Sequence, residues 1–375
     1  MRKGGPISEP KTYGVAIVGA GIGAHHLAGF LALGNRFEVR WLCDLDTGRA
    51  RLVLDNAGAA NAKVTASLDD VLADPYVDLV DICLPPHLHA PAAIQAFKAG
   101  KHVICEKPLA GSVVEADSMV EASAEADRLL IPIFQYRYGK GLFQARGLIE
   151  RGLAGKPFVA TLETHWNRGA DYYAVDWRGK WASERGGAVL GHAIHAHDLL
   201  SLILGDISAV SAMVDTRVNP IEVEDCAAIA MRFSNGALAT SSITLGNADD
   251  RSRLRFVFEN LAIESGLNPY APGDANWTFR ARAPLTQIDV ASALAEIDRE
   301  IADWPQGYPG EFLSIHRALS GLAPVGVGLV DAASGVRSIE LVTAIYKSAR
   351  EGSEIALPMD RKDPMCRDWV PEAYR

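Results

Sequence analysis

The chain has 375 residues, of which 49% are hydrophobic and 22% are charged, and its formal net charge is −9. This length allows two domains of ordinary size, whereas the negative charge argues against nucleic acid or an anionic membrane as a partner. The amino-terminal residues are too polar for a signal peptide, and no apolar run is long enough to span a bilayer. Five cysteines, an odd number without metal-type spacing, favour the reducing cytoplasm as the location.

Strands and helices alternate through the first third of the chain. Residues 1–11 are predicted to be a loose tail, and residues 13–18 a short apolar strand that ends in a glycine-rich turn. Further strands are predicted at 37–42, 63–66, 77–84, 102–105 and 129–134, and helices at 25–33, 47–60, 91–99 and 113–127. This alternation is typical of a parallel sheet covered by helices. We therefore expect an α/β domain of the dinucleotide-binding type over residues 1–131.

The pattern changes in the rest of the chain, where strands become longer and follow one another. They are predicted at 157–166, 207–217, 225–233, 237–245 and 253–265, with helices at 140–152, 187–204 and 328–350. Asn235-Gly236 between two strands is a strong hairpin signal, and strands joined in this way favour an antiparallel sheet. We expect an α+β domain over residues 132–375 that binds the substrate and forms the oligomer.

The glycine-rich turn has the pattern Gly19-x-Gly21-x-x-Ala24. Such a turn from a strand into a helix lets the backbone approach a pyrophosphate and points helix N–H groups at its charge. The motif alone is weak, but its position after the first strand and before the first helix meets the required context.

Asp44 ends the second predicted strand, where a carboxylate can accept hydrogen bonds from ribose hydroxyls and would repel a 2′-phosphate. NAD is therefore favoured as the cofactor, although the nearby Arg40 and Arg49 leave NADP possible. The alternative is that Asp44 only caps the next helix together with Asp46.

Lys107 follows a buried strand in the run Cys105-Glu106-Lys107-Pro108. A lysine at the end of such a strand is well placed for chemistry, because desolvation shifts its pKa readily.

Three histidines, His192, His195 and His197, lie within six residues of an otherwise apolar helix. His195, with Asp198 one turn further along, is the better candidate for a general base, since the ordinary pKa of histidine is roughly 6.5. A buried, hydrogen-bonded core histidine is the alternative. A zinc site would need a third ligand that the sequence does not indicate, so we expect no metal.

These segments resemble the glucose–fructose oxidoreductase and inositol dehydrogenase family (Gfo/Idh/MocA) over nearly the whole chain. The matching segments are Gly19–His26, Leu84–His89, Ala99–Pro108 and Gly187–Asp198. Within them the run Gly-Lys-His-Val-x-x-Glu-Lys-Pro is highly specific, whereas the glycine turn is not. The resemblance implies a Rossmann domain followed by an open-faced, mainly antiparallel sheet. It also implies NAD(P) as cofactor and a sugar or polyol that is oxidised or reduced at one carbinol carbon.

The resemblance also implies roles for individual residues. Lys107 holds the substrate hydroxyl and polarises it, its peptide bond to Pro108 is often cis, and His195 accepts the proton. The residues expected to bind the cofactor are Gly19, Gly21, Ile22, Gly23, Asp44, Leu84, Pro85, His89, Glu106 and Lys107. Those expected to bind the substrate are Lys107, His192, His195, Arg178 and Trp177. The last two belong to an aromatic and basic segment that suits a sugar, or that packs at a subunit interface.

The chain departs from the family pattern at Gly191, where the family has an aspartate four residues before the histidine. Pro86, in place of an asparagine, is a smaller departure. Gly191 is compatible with a larger substrate such as a glycoside, with a substitute contact from His192, or with weakened activity. Three hypotheses follow: an NAD(P)-dependent sugar or polyol dehydrogenase, an NAD-dependent glycosidase or lyase that uses transient oxidation, and a non-catalytic nucleotide-binding sensor.

An open-faced sheet leaves an apolar surface that monomers seldom expose. We therefore expect a homodimer or homotetramer that forms through the carboxyl-terminal sheet.

Overall fold

The computed structural model describes residues 11–274 and 276–374. The predicted tail over residues 1–11 lies outside the described residues, except for Lys11. Two sheets organise the described part of the chain, one of six strands and one of eight.

The first sheet is parallel. Its strands are β1 Tyr13–Val18, β2 Phe37–Cys43, β3 Lys63–Thr65, β4 Leu79–Ile82, β5 His102–Cys105 and β6 Leu130–Pro132, in the order β3-β2-β1-β4-β5-β6. The helices between them are α1 Gly23–Leu31, α2 Thr47–Asn56, α3 Leu68–Ala73, α4 His89–Lys98 and α5 Val113–Glu125. This is the strand order of a Rossmann sheet, in which ligands bind where the order reverses, between β1 and β4.

Buried apolar runs account for these strands. All six residues of β1 are buried, as expected for a central parallel strand that is covered on both faces. Val15 and Ile17 belong to the same core as Phe30 of α1. The Phe30 ring stacks on Phe312 with a centroid distance of 3.9 Å. A helix from the carboxyl-terminal part of the chain therefore helps to cover the first sheet.

The second sheet is mainly antiparallel. Its strands are β7 Pro157–Asn167, β8 Ile207–Asp215, β9 Cys226–Phe233, β10 Leu238–Thr244, β11 Gly246–Phe258, β12 Leu261–Glu264, β13 Thr278–Ala281 and β14 Ile355–Ala356. Their order is β13-β12-β11-β7-β10-β9-β8-β14, in which β7 and β10 run parallel and the other neighbours antiparallel. The remaining helices are α6 Lys140–Glu150, α7 Ala170–Tyr173, α8 Trp181–Glu184, α9 Ala188–Gly191, α10 Ile194–Leu204, α11 Gln287–Glu300, α12 Gly307–Leu319, α13 Ala332–Glu351 and α14 Pro364–Arg367. The expected fold class is confirmed.

One face of this sheet is open. Along β9, buried and exposed residues alternate from Ala227 to Phe233, the pattern of a sheet with a single covered face. Helices α10 and α13 pack on the covered side. On the other side Val159 and Leu238 are register neighbours, and both are exposed, as is Met213.

Two predicted elements are wrong in detail. The single strand predicted at 253–265 is a hairpin of β11 and β12. Its turn is held by the backbone of the segment before β7, because Glu259 N donates to Lys156 O and Asn260 N to Ala154 O. The Asn235-Gly236 hairpin, in contrast, is confirmed by the antiparallel pairing of β9 and β10.

The helix predicted at 187–204 is broken into α9 and α10. Ala193 N donates to Ala188 O, five residues back, so the chain makes a wider turn than an α-helix there. Apolar periodicity continues through this turn, which is why the sequence pattern did not reveal it. The pattern also missed the helices α7, α8, α11, α12 and α14 and the strands β13 and β14.

No single helix among the described residues is long and apolar enough to cross a membrane. The segments 181–191 and 194–204 reach the necessary length and composition only as a pair, bent by 45°. Nearly all of α10 is buried in the core.

Candidate active site

The glycine turn lies at the carboxyl ends of β1 and β4. Gly19 has a φ of +108°, and a Cβ there would lie 2.4 Å from the Cys83 carbonyl oxygen, so the turn packs directly on β4. A Cβ on Gly21 would meet nothing within 4 Å. The open space above Gly21 and the start of α1 at Gly23 fit the pyrophosphate of a dinucleotide.

Asp44 lies beside this turn at the end of β2. Its carboxylate accepts hydrogen bonds from Ala20 N at 2.7 Å and Asp46 N at 2.9 Å, and Arg49 Nη2 lies 2.7 Å from Oδ2. Burial alone would raise the pKa of Asp44, but these donors hold it below its ordinary value. Asp46, rather than Asp44, is the N-cap of α2. Asp44 is therefore an ionised carboxylate beside the glycine turn.

His89 is completely buried. Its Nδ1 lies 2.8 Å from the Pro108 carbonyl oxygen, and its Nε2 lies 2.7 Å from that of Leu84. Since backbone groups occupy both ring nitrogens, a direct cofactor contact from the His89 ring, as expected from the resemblance, does not fit the structure. The ring instead joins the Leu84-Pro85 segment to the turn that contains Lys107.

Glu106 is the centre of a buried charge network. Its carboxylate lies 3.0 Å from His26 Nε2 and accepts hydrogen bonds from Tyr308 Oη at 3.1 Å and Lys107 N at 2.9 Å. Burial alone would raise the pKa of Glu106, but the hydrogen bond from His26 and the nearby positive charges hold it at about 2. With all of these contacts made inside the protein, Glu106 shapes the turn rather than reaching a ligand.

His26 lies between two carboxylates. Its Nε2 contacts Glu106, and its Nδ1 lies 2.8 Å from Asp81 Oδ2. Burial alone would lower the pKa of His26, but Asp81 raises it well above its ordinary value. His26, Asp81 and Cys83 also form a group of possible metal ligands whose atoms lie within 4.8 Å of one another. Because carboxylates already engage both nitrogens of His26, we interpret this group as part of the ion-pair network.

Lys107 projects from the end of β5 toward the second half of the chain. The Lys107–Pro108 peptide bond is cis, and Nζ donates a hydrogen bond to the Gly191 carbonyl oxygen at 2.9 Å. Burial lowers the pKa of Lys107, although the carboxylates of Glu106 and Glu184 partly oppose this. The amine thus loses its proton more readily than an ordinary lysine.

His195 lies close to this amine. Its ring stacks on Tyr136 with a centroid distance of 4.3 Å, and its buried Nδ1 has no hydrogen-bond partner in the described part of the chain. Burial and the charge of Lys107 lower the pKa of His195 to about 3. The expectation that its pKa stays near neutrality is therefore wrong, and His195 is a neutral ring at ordinary pH.

The expected partnership of His195 with Asp198 is also wrong. Asp198 forms a bidentate, buried ion pair with Arg137, with distances of 2.6 and 2.7 Å. His197 lies within the core, with Nε2 2.9 Å from Ser241 Oγ, which is the core-histidine alternative. The spacing of three residues predicted that His195 and Asp198 lie on the same face of the helix. The Asp198 carboxylate instead pairs with Arg137, which belongs to a distant segment of the chain.

His192 and Arg178 both pack against aromatic rings. The His192 ring packs edge-on against Trp166 at 5.2 Å, and burial with nearby cations holds its pKa well below the ordinary value. The Arg178 guanidinium lies 3.7 Å from the Tyr172 ring centroid, and its Nε and Nη1 are buried without a hydrogen-bond partner among the described residues. Trp177, 39% exposed, lies next to it.

Sequence reasoning missed three residues of this site. Tyr136 supports His195, Tyr308 bonds Glu106, and Glu184 approaches Gly191, where a Cβ would lie 4.0 Å from Glu184 Oε1. Tyr136 lies in a 3₁₀ turn, Glu184 in the short helix α8, and Tyr308 in α12, which the sequence pattern did not predict. In these elements no periodic pattern identified the inward-facing side chain.

Comparisons with known proteins give matches to both parts of the chain. A model of an oxidoreductase family with an NAD-binding Rossmann fold matches residues 13–134, and a model of the GFO/IDH/MocA C-terminal domain matches residues 143–264. Levoglucosan dehydrogenase of Pseudarthrobacter phenanthrenivorans is 30% identical over an alignment of 323 residues that covers 78% of this chain and 79% of that enzyme. An uncharacterized oxidoreductase of Schizosaccharomyces pombe is 28% identical over an alignment of 379 positions, gaps included, that covers 91% of this chain and 98% of the relative.

A solved structure extends the likeness to three dimensions. The WlbA dehydrogenase from Bordetella pertussis, in complex with NADH and UDP-GlcNAcA, has a TM-score of 0.80 to this chain. The two are 29% identical, and the match covers 95% of this chain and 100% of that chain.

Proposed function

The chain belongs to the Gfo/Idh/MocA family of NAD-binding oxidoreductases, and from this premise we propose that it oxidises or reduces a secondary alcohol of a sugar, polyol or glycoside. The observation that carries the proposal is the position of Lys107. Its amine comes from the turn after β5 of the first sheet and bonds the Gly191 carbonyl in the segment that carries the histidines, and burial lowers its pKa.

The cofactor in this proposal is NAD. The open space over Gly21 and the ionised Asp44 support it, because a carboxylate at the ribose position disfavours a 2′-phosphate. When bound, NAD supplies the acceptor for the hydride of the carbinol carbon. Gly19, Ile22, Gly23, Leu84 and Pro85 remain our proposed backbone contacts to it.

Lys107 is our proposed acceptor of the hydroxyl proton. A general base is effective when its pKa lies near the operating pH. His195, whose pKa is about 3, is too weak a base for that role. A neutral Lys107 amine takes the proton from the substrate oxygen as the carbon–hydrogen bond breaks and the carbonyl forms. His195, held neutral by burial, hydrogen-bonds the same oxygen and orients it.

The substrate is proposed to lie against His192, Trp177 and Arg178. Aromatic faces pack well on the carbon–hydrogen faces of sugar rings. The unpartnered Nε and Nη1 of Arg178 need acceptors, because a buried charged donor without one is costly. Sugar oxygens provide such acceptors.

A panel of sugars, polyols and glycosides, each tested with NAD and NADP, examines this proposal. We expect NADH to accumulate at 340 nm with at least one neutral sugar or polyol, faster with NAD than with NADP. NAD binding without reduction by any member of the panel would contradict the proposal and favour a sensor.

A second candidate is favoured by the space at Gly191, where a Cβ would meet only Glu184 Oε1 among the described residues outside its own helix backbone and its two chain neighbours. A glycosidase or lyase that uses transient oxidation needs room for an aglycone. Release of p-nitrophenol from a nitrophenyl glycoside in the presence of NAD, without NADH accumulation, would identify this activity.

We further propose a cytoplasmic homodimer or homotetramer that forms through the open sheet face. The exposed Val159, Leu238 and Met213 support the interface, and the five free cysteines support a reducing location. A molar mass of one chain in light scattering at micromolar concentration would contradict the assembly.

A further inference from the structure

We propose that Glu184 supplies, from a different element, the active-site carboxylate that this chain lacks at Gly191, and that it selects substrates with a second hydroxyl beside the reacting one. This inference rests on the proposed dehydrogenase function and deepens it by naming the substrate class, a vicinal diol.

The carboxylate of Glu184 is fixed in place. Glu184 ends α8 and is 8% exposed, and its Oε2 accepts a hydrogen bond from Gly179 N at 2.5 Å. Gly179 has a φ of +73°, and a Cβ there would lie 2.8 Å from Ile221 Cγ2. The donor is therefore held by a turn that only glycine tolerates, so Glu184 has a defined orientation.

Its other oxygen faces the position of the missing aspartate. Glu184 Oε1 lies 4.0 Å from the place of a Cβ on Gly191, and apart from the two chain neighbours and the backbone of the same helix no other atom of the described residues comes within 4 Å of that place. An aspartate side chain at 191 would extend into the space that Oε1 borders. The carboxylate of Glu184 therefore lies near the place that the side chain of an aspartate at position 191 would occupy.

The charges of the site fit this role. Lys107 bonds the carbonyl of Gly191, and the Glu184 carboxylate raises the pKa of Lys107. Burial raises the pKa of Glu184, while Gly179 N–H, Arg178 and Lys107 oppose the rise. The groups that face Lys107 are Glu106, Glu184, Arg178, His192 and His195.

The amine and the carboxylate both lie beside Gly191, since Lys107 Nζ bonds its carbonyl oxygen and Glu184 Oε1 lies 4.0 Å from the place of its Cβ, so a substrate bound at Gly191 can meet both with two neighbouring hydroxyl groups. An ionised carboxylate only accepts hydrogen bonds, so it pairs with an O–H of the substrate while Lys107 holds the reacting oxygen. A bound substrate without the second hydroxyl would leave the charged Glu184 carboxylate without a hydrogen-bond donor from the substrate. Sites built for such a bond discriminate strongly against the analogue that lacks it.

The test compares Glu184→Gln, Glu184→Ala and the double variant Glu184→Ala/Gly191→Asp with the wild type. The glutamine keeps an oxygen for Gly179 N but loses the charge, so it separates the carboxylate from its structural bond. We expect Glu184→Gln to lower kcat/KM at least about 10-fold with the best diol substrate of the panel, and much less with its monodeoxy analogue. We expect Gly191→Asp to restore at least about 10-fold of the activity lost in Glu184→Ala. Glu222→Gln is the matched control, because Glu222 bonds Trp181 N in the same segment and is exposed.

A pH profile distinguishes the proposed charge effect of Glu184 from a purely structural role, because a structural role would leave the profile unchanged. Loss of the Glu184 charge lowers the pKa of Lys107 further, so the rise of kcat/KM with pH should move to lower pH in Glu184→Gln. Unchanged kinetics and pH profile in Glu184→Gln, or no rescue by Gly191→Asp, would overturn the inference while leaving the dehydrogenase proposal intact.

A wild type without turnover would instead contradict the proposed function. In that case the inference is tested by NMR titration of ¹³C-methylated lysines, with the Lys107 signal assigned from Lys107→Arg. A lower Lys107 pKa in Glu184→Gln supports the inference, and an unchanged value overturns it.

Discussion

Lys107 Nζ donates a hydrogen bond to the carbonyl oxygen of Gly191 at 2.9 Å. The two residues are 84 positions apart, one at the end of β5 and the other in the last turn of α9. Carbonyls in the last turn of a helix lack an intrahelical partner, and the break before α10 provides such an end at Gly191. The contact therefore joins the first sheet to the segment that carries His192 and His195.

Replacing Lys107 with methionine removes the amine and keeps the length of the side chain. We expect kcat for NAD reduction to fall by about 10³-fold, within the range of general acid–base contributions, while the Kd for NADH changes less than about 3-fold. Stopped-time assays and fluorescence titration measure the two quantities. Lys98→Met, on the exposed side of α4, is the control and should behave as the wild type.

Tyr136 should act through its ring, because it stacks on His195 at 4.3 Å. We expect Tyr136→Phe to retain activity within about 2-fold and Tyr136→Ala to lose about 10- to 100-fold, since a freed imidazole no longer meets the substrate oxygen. Both variants are compared by kcat and by thermal unfolding. Equal losses in the two variants would show that the hydroxyl, and not the stacked ring, is the important group.

Asp44 should determine the choice of cofactor. Asp44→Ala removes the proposed ribose contact and leaves Arg49 without its partner, so we expect the NAD-to-NADP ratio of kcat/KM to fall at least about 10-fold. The matched control is Asp46→Asn, which keeps a helix cap at the start of α2. An unchanged ratio in Asp44→Ala would assign the carboxylate to packing alone.

Glu311 makes stability depend on pH. Burial raises the pKa of Glu311 to about 8, above the ordinary 4.5 of the unfolded chain. Its contribution to the free energy of unfolding is therefore complete below pH 4.5 and is lost as the pH rises through 8. We expect Glu311→Gln to become steadily more stable relative to the wild type between pH 5 and 9, by roughly 1.4 kcal/mol for each unit of pKa shift.

Thermal unfolding of both proteins at each pH measures this difference. The exposed Glu296 on α11 provides the control, since Glu296→Gln should follow the wild type at every pH. A constant difference between Glu311→Gln and the wild type would show that Glu311 is ionised in the folded protein.

The sequence predicted the first sheet well because its signals are local. The run from Tyr13 to Val18, the turn at Gly19 and the end of β5 before Lys107 are each decided by neighbouring residues. The histidines were harder, because their partners come from distant segments. Arg137 pairs with Asp198, and Tyr136 stacks on His195. Burial lowers the pKa of the His195 ring. Helical spacing predicts none of these features.

Gly191 is the clearest case of a partial prediction. The motif showed that a carboxylate is missing there, and only the fold shows that Glu184, from a short helix, points at the same space. Short helices lack the periodic pattern by which an inward-facing residue is recognised.

Transfer of deuterium tests the central claim, hydride exchange between a secondary alcohol and NAD, most directly. The best substrate of the panel is deuterated at the carbinol carbon, and the nicotinamide and the product are analysed by mass spectrometry with wild type and Lys107→Met. We predict one deuterium in NADH for each ketone formed by the wild type, and almost none with Lys107→Met. A ketone or cleaved product formed without deuterium in the nicotinamide would contradict the account.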